Sequence, residues 1–348
     1  MIPLQNRMRR RAFNSLALLI TIGALLAGCR TAQEKFYTFG IFQITDAPTL
    51  NEARKGFIQA LTDGGLREGL DIRLIQRDSR GDTTEAQRIA QQFVEEKTDM
   101  IVALSTQCLQ AAIMAAPKVP VVFTSVANPF LLGVARSAEN HLSNITGVAS
   151  TGPIKQTLGF IHEALPEAKR IGTLWTPAEL NSEYYLRLLR ESAVELGLEV
   201  IAQPVANSNE VLLSGQMLLN RKVDAIFPIS DNTINAAFET LGRLAQENAV
   251  PLFGGFPLFA RLGACAAMGW DFFEMGYKTG EIALRIKNGE DPGGIPIQSM
   301  SRVRLHLNLQ AAGLQGVHFS SQILERADDI IRAEGSLDPA AAERQESP

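Results

Sequence analysis

One α/β unit is used twice in this chain, and any fold must accommodate both copies. Asp99-Met-Ile-Val-Ala-Leu-Ser-Thr-Gln matches Asp224-Ala-Ile-Phe-Pro-Ile-Ser-Asp-Asn, and Lys118-Val-Pro-Val-Val-Phe matches Ala249-Val-Pro-Leu-Phe-Gly. Gly40-Ile-Phe-Gln and Gly172-Thr-Leu-Trp open the two series. Three matches in one order point to a tandem of lobes. Within each series, short β-rich runs alternate with amphipathic stretches, the pattern of parallel strands joined by crossover helices. Strands are predicted at 37–44, 71–77, 100–104 and 119–124, then at 170–175, 198–204, 225–228 and 250–253. The helices between them fall at 50–63, 84–97 and 106–115, and near 182–196, 210–219 and 233–248, where apolar residues recur at helical spacing. The predicted fold is α/β, two similar lobes with parallel sheets joined by a hinge.

The hinge follows from how the chain passes between the series. Asn144-Ile-Thr-Gly-Val-Ala-Ser leads from the first to the second, a strand at 264–269 leads back, a helix at 272–288 follows, and 297–308 is extended. Lobe 1 is therefore expected to comprise 37–148 with about 270–297, and lobe 2 to comprise 149–269 with about 298–320. Residues 321–348 read as a polar C-terminal tail, whose last 14 or so residues have too little apolar content to pack.

At the other end, Arg7, Arg9, Arg10 and Arg11 precede an apolar run at 12–26 that is short for a membrane span, and Ala27 and Gly28 lead to Cys29. The pattern resembles a bacterial lipoprotein signal. The resemblance implies removal of residues 1–28, lipidation of Cys29, a tether over 29–36, and an extracytoplasmic protein anchored to the membrane. Two or more acyl chains hold a protein stably on a bilayer.

Composition excludes several classes. A net charge of −4 argues against a nucleic-acid surface, and four histidines without clustering give no metal site. Besides Cys29 there are only Cys108 and Cys265, without CxxC spacing, which read as lone buried thiols. No phosphate-binding GxxxxGK[ST], no GxSxG, no HExxH and no GxGxxG before a helix occurs. Without a nucleophile-base pair, no enzyme activity and no cofactor are expected.

In open parallel sheets, ligands bind beyond the carboxyl ends of the strands, where helix N-termini offer free N–H groups. Those positions here are 43–46, Ser105-Thr106-Gln107 and 124–129 in the first lobe, with 176–182, Ser230-Asp231-Asn232-Thr233 and 254–256 in the second. Ser105 and Thr106 suit a carboxylate, and equally suit a helix N-cap. Asn128 before Pro129 has the same double reading. Asp231 suits an ammonium group, or caps the helix that begins at Asn232. Trp175 is placed to pack against an apolar part of a ligand, whereas Phe42, Phe256 and Trp270 read as core or hinge packing.

These residues carry a resemblance to the substrate-binding lipoproteins of ABC transporters with the periplasmic-binding-protein type I fold, and in particular to the branch that includes tryptophan- and phenylalanine-binding proteins. The matching segments include Glu52-Ala-Arg-Lys-Gly-Phe, Arg88-Ile-Ala-Gln-Gln-Phe-Val, Val119-Pro-Val-Val-Phe-Thr-Ser-Val-Ala-Asn-Pro, Ala225-Ile-Phe-Pro-Ile-Ser-Asp-Asn-Thr and Pro251-Leu-Phe-Gly. The chain departs from the branch at Ala127-Asn128-Pro129, where Thr-Asp-Pro is common, and at Gly255-Phe256, where a polar or acidic residue is usual. The resemblance implies a monomer that closes over a small ligand, an amino acid or similar zwitterion, aromatic side chains included, and delivers it to a membrane permease with a cytoplasmic ATPase. Ser105, Thr106, Ser125 and Asn128 would then hold the carboxylate, Asp231, Asn232 and Asn181 the ammonium, and Trp175 the side chain. The alternative of another class is a ligand-sensing lipoprotein that docks on a signalling receptor.

Overall fold

The computed structural model describes residues 36–332. The expected signal, the lipidation position Cys29, all but the last residue of the tether, and the end of the tail lie outside the described residues. Lobe 1 is built from β1 (Tyr37–Gln43), α1 (Pro48–Asp63), β2 (Ile72–Asp78), α2 (Thr83–Glu95), β3 (Met100–Leu104), α3 (Thr106–Ala115), β4 (Val121–Val126) and β5 (Ile145–Ala149). Lobe 2 follows with α4 (Ile154–Ala164), β6 (Arg170–Trp175), α5 (Leu180–Glu195), β7 (Glu199–Pro204), α6 (Val211–Asn220), β8 (Ala225–Ile226), α7 (Asn232–Ala236), α8 (Phe238–Glu247), β9 (Phe253–Gly254) and β10 (Ala266–Gly269). The chain then returns to lobe 1 with α9 (Phe272–Lys287) and β11 (Gln298–Ser299), and ends in lobe 2 with β12 (Arg304–Asn308), α10 (Leu309–Leu314), α11 (Ser321–Glu325) and β13 (Asp329–Ile331).

Burial explains the strand pattern. All five residues of β3 are buried, as an apolar run must be when helices cover both faces of a parallel sheet. The lobe 1 sheet runs β11-β5-β4-β3-β1-β2 with every pair parallel. In α2, Ala86, Ile89, Ala90 and Phe93 make one buried stripe, and Asp82 starts the helix by accepting from the Thr84 and Glu85 amides. Phe42 does not face a ligand; it is fully buried, edge-on to Phe93 with centroids 5.6 Å apart. Helices α1 and α9 approach closely because Gly56 and Gly276 leave room, for a Cβ on either would strike the backbone of the other helix.

In lobe 2, strands β7-β6-β8 continue into β9-β10-β12-β13 through the Ile226–Leu252 bridge and the Ile226 amide, which donates to the Pro251 carbonyl. Most pairs are parallel, but β10 and β12 run antiparallel, because β12 enters directly from the other lobe without a crossover helix. Two boundaries differ from the sequence expectation. β11 pairs with β5, so lobe 1 extends to Ser299, and residues 321–331 are no tail, since α11 and β13 complete the lobe 2 sheet against β12. Ile323 buries there, while the polar remainder faces outward and gives the segment its tail-like composition.

Among the described residues the chain passes between the lobes three times, after β5, after β10 and after β11. Trp270 lies on the second passage and donates from Nε1 to the Thr151 carbonyl on the first, 2.8 Å away. Phe256 of lobe 2 meets Phe272 of lobe 1 edge-on at 4.5 Å. Both rings pack the hinge.

Candidate functional site

The carboxyl ends of β1 and β3 in lobe 1 face those of β6 and β8 in lobe 2 across a cavity of about 200 Å³. Thr45, Arg80 and Gln107 line it from the first lobe, and Thr176, Glu179 and Asn232 from the second. One direct bond bridges the two sides: Asn232 Nδ2 donates to Gln107 Oε1 at 3.2 Å. Both residues are buried.

Glu179 organises the lobe 2 side. Its position ahead of α5 puts an acidic side chain against the start of a second helix, α7. Oε2 accepts from Asn181 Nδ2 at 2.9 Å, Asn232 Nδ2 at 2.8 Å and the Asn232 amide at 3.1 Å. Oε1 accepts from the Thr233 amide at 3.0 Å and the Thr233 hydroxyl at 2.7 Å. Five donors thus converge on one buried carboxylate, which in turn aims the Asn232 amide group at Gln107.

Asp231 is fully buried beneath this cluster. Oδ1 accepts the Ile234 amide at 2.9 Å as the N-cap of α7, and Oδ2 accepts the Thr176 amide at 2.9 Å, tying the end of β6 to that helix. Burial, with the Glu179 charge nearby, pushes its pKa up to about 7, against hydrogen bonds from Ser182, Ile234 and Thr176 that favour the ionised form.

Of the sequence-predicted site residues, Asn232 lines the cavity; Ser105, Thr106, Ser125, Asn128, Trp175, Asn181 and Asp231 are not among its lining residues. Ser105 is fully buried and caps α3 through the Cys108 amide, 3.2 Å from its Oγ. Asn128 caps the short 3-10 turn at Pro129–Leu132 through the Phe130 amide at 3.0 Å. Trp175 is half-buried against the lobe 2 core. Thr106 Oγ1, Ser125 Oγ, Thr176 Oγ1 and Asn181 Oδ1 are buried without a hydrogen-bond partner. Strand-end side chains are often spent on the helix that follows, which is why so many candidates turn inward. Glu179 and Arg80 were not singled out in the sequence, since an acid before a helix and a polar Asp-Ser-Arg-Gly-Asp turn both read as local structure. Among the described residues no group of histidine, cysteine and acidic side chains is arranged to hold a metal.

Two parallel-sheet lobes thus enclose a cavity lined from the strand ends of both. The sequence profile of the ABC transporter substrate binding proteins matches residues 38–331, and the chain belongs to that family. It is similar to a tyrosine-binding protein from Clostridioides difficile, 31% identical over 279 residues, which are 80% of this chain and 81% of that one. A solved domain in complex with L-Trp from Streptococcus pneumonia is 24% identical with a TM-score of 0.80, covering 85% of this chain and all of the other, a likeness of fold. A ligand-free, open substrate-binding protein from Clostridium difficile with adhesive properties is 28% identical over the same shares, with a TM-score of 0.63.

Proposed function

We propose that this chain is the extracytoplasmic solute-binding component of an ABC importer, taking an amino acid or similar small solute between its lobes. The observation that carries this reading is the cavity lined from both lobes and bridged by Gln107 and Asn232. A ligand that touches both sides favours the closed arrangement through contacts the open one lacks. The better superposition on a ligand-bound domain than on an open one, despite lower identity, supports a closed arrangement here. At about 200 Å³ the cavity is below the roughly 300 Å³ of drug-sized sites, which suits a solute no larger than an amino acid.

On this reading Gln107 and Asn232 contact the solute directly, and the unpartnered Thr176 hydroxyl, on a residue that lines the cavity, is reserved for it or for bridging water. Asp231, Ser105 and Asn128 act one step back, as caps that hold the loops. A solute side chain would lie against Ile44, Ala178, Ala206 and Ala236, since no aromatic residue lines the cavity. The family and the tyrosine-binding relative support an amino acid. A permease and its ATPase are the partners, and lipid on Cys29 is the anchor; metabolic labelling with a fatty-acid probe tests the latter, and a Cys29→Ser chain that still sediments with membranes would refute it.

Mass spectrometry of solute released from the purified protein, followed by calorimetric titration of the free compound, tests the binding reading. The expected result is one compound bound at one site per chain. A chain that binds none of the twenty amino acids and releases no small molecule would overturn it.

A further inference from the structure

The charges around the cavity are unequally committed, and this narrows the class of solute. Arg80 and Glu179 are the ionisable residues that line it. Glu179 accepts five hydrogen bonds, whereas a carboxylate has about four lone-pair sites, so it has no capacity left for an ammonium group. Asp231 is fully buried, with both oxygens given to backbone amides. Neither acid of the second lobe is available.

Arg80 is the opposite case. It is exposed, and among the described residues its guanidinium has no hydrogen-bond or ion-pair partner. The acids beside it are in use: Asp78 accepts the Arg80 amide at 2.7 Å and Gln43 Nε2 at 3.0 Å, Asp82 caps α2, and Glu85 pairs with Arg88. The backbone holds the residue in place at some cost. Arg80 has φ of 54°, in the left-handed region that side chains other than glycine seldom adopt, and the Gly81 amide anchors the turn by donating to the Ile44 carbonyl at 2.6 Å. The turn that sets an unpaired guanidinium at the mouth of the cleft is thus fixed by its own hydrogen bonds.

Resting on the solute-binding reading above, we propose that Arg80 is the specificity-determining residue of the site, and that the solute is a small carboxylate whose acid group pairs with this guanidinium while an amino group is dispensable. A guanidinium fork meets a carboxylate with two parallel N–H···O bonds, which fix the orientation of the acid group as well as balancing its charge. The amide and hydroxyl groups of Gln107, Asn232 and Thr176 supply neutral contacts to the remainder.

Calorimetric titration of the purified chain with the twenty amino acids, then with the amine and the deaminated acid corresponding to the tightest of them, tests the assignment. For L-tyrosine those analogues are tyramine and 3-(4-hydroxyphenyl)propionate. The acid is expected to bind within about tenfold of the amino acid, and the amine at least a hundredfold more weakly. Arg80→Gln should weaken the amino acid and the acid by about ten- to a hundredfold, with the melting temperature of the ligand-free chain unchanged. Arg80→Lys should recover part of the loss. Binding of the amine as tight as that of the amino acid, or full affinity in Arg80→Gln, would overturn the assignment while leaving solute binding intact. A panel in which nothing binds, with no small molecule released from the purified chain, would instead sink the solute-binding reading and the assignment with it, and a released solute that carries no carboxylate would overturn the assignment alone.

Discussion

Replacing Glu179 by alanine tests whether one carboxylate organises the second lobe's side of the cleft. The side chain is 6% exposed and accepts five hydrogen bonds, two of them from the main-chain amides of Asn232 and Thr233 that open α7. A buried amide left without a partner costs about 1–3 kcal/mol. Two such amides would cost about 2–6 kcal/mol. Part of this is returned, because the Glu179 charge that helps raise the Asp231 pKa also disappears. A net loss of about 3 kcal/mol is expected, or roughly 6–12 °C in melting temperature at about 2–4 °C per kcal/mol for large domains. Loss of an ordinary helix cap would cost only about 1 kcal/mol. Differential scanning calorimetry at pH 7 separates the two, and Glu179→Gln, which keeps the volume but turns one acceptor into a donor facing donors, should lose at least half as much. A drop of 2 °C or less in both variants would mean that water replaces the carboxylate, and the reasoning would fail.

Gln107→Ala removes the direct bond across the cavity, worth about 0.5–1.5 kcal/mol, so the ligand-free chain should shift up to about tenfold toward open forms and show a larger radius of gyration by small-angle scattering; an unchanged curve would mean this bond does not hold the cleft closed. Asp231 binds its proton more tightly when folded, with a pKa of about 7, than the usual 3.8, so its stabilising contribution is complete below about pH 4 and is lost as the pH rises through 7. Asp231→Asn should therefore flatten the fall in stability between pH 4 and 7 seen by denaturant titration of the parent chain, and equal slopes in the two would refute the assignment. Gly276→Ala puts a methyl group onto the Ala53 carbonyl where α9 crosses α1, and should destabilise by about 1–3 kcal/mol in the same titration. A neutral result would mean the two helices separate at little cost.

The two-lobed parallel-sheet fold was legible in the sequence, because its signal is local. Alternating β-rich and amphipathic runs report burial along the chain, and the repeated Asp-x-Ile strand with its Val-Pro partner reports the tandem directly. The order and the antiparallel pairing of β12 were not legible, since hydrogen-bond partners far apart in sequence leave no local mark. The same distinction divides the site. That the strand-end loops line one edge of each lobe was legible, because parallel-sheet topology alone puts them there. Which side chains within them face the cavity was decided by tertiary structure: Ser105 and Asp231 turn inward to satisfy amides that would otherwise be buried without partners, and Asn128 caps the exposed turn at Phe130. Glu179 meets Asn232 and Thr233, and Gln107 meets Asn232 across the lobes, only because packing brings residues more than fifty positions apart to within hydrogen-bond distance. A sequence records what each segment needs to bury, whereas the choice of partner for a buried polar group is made in three dimensions.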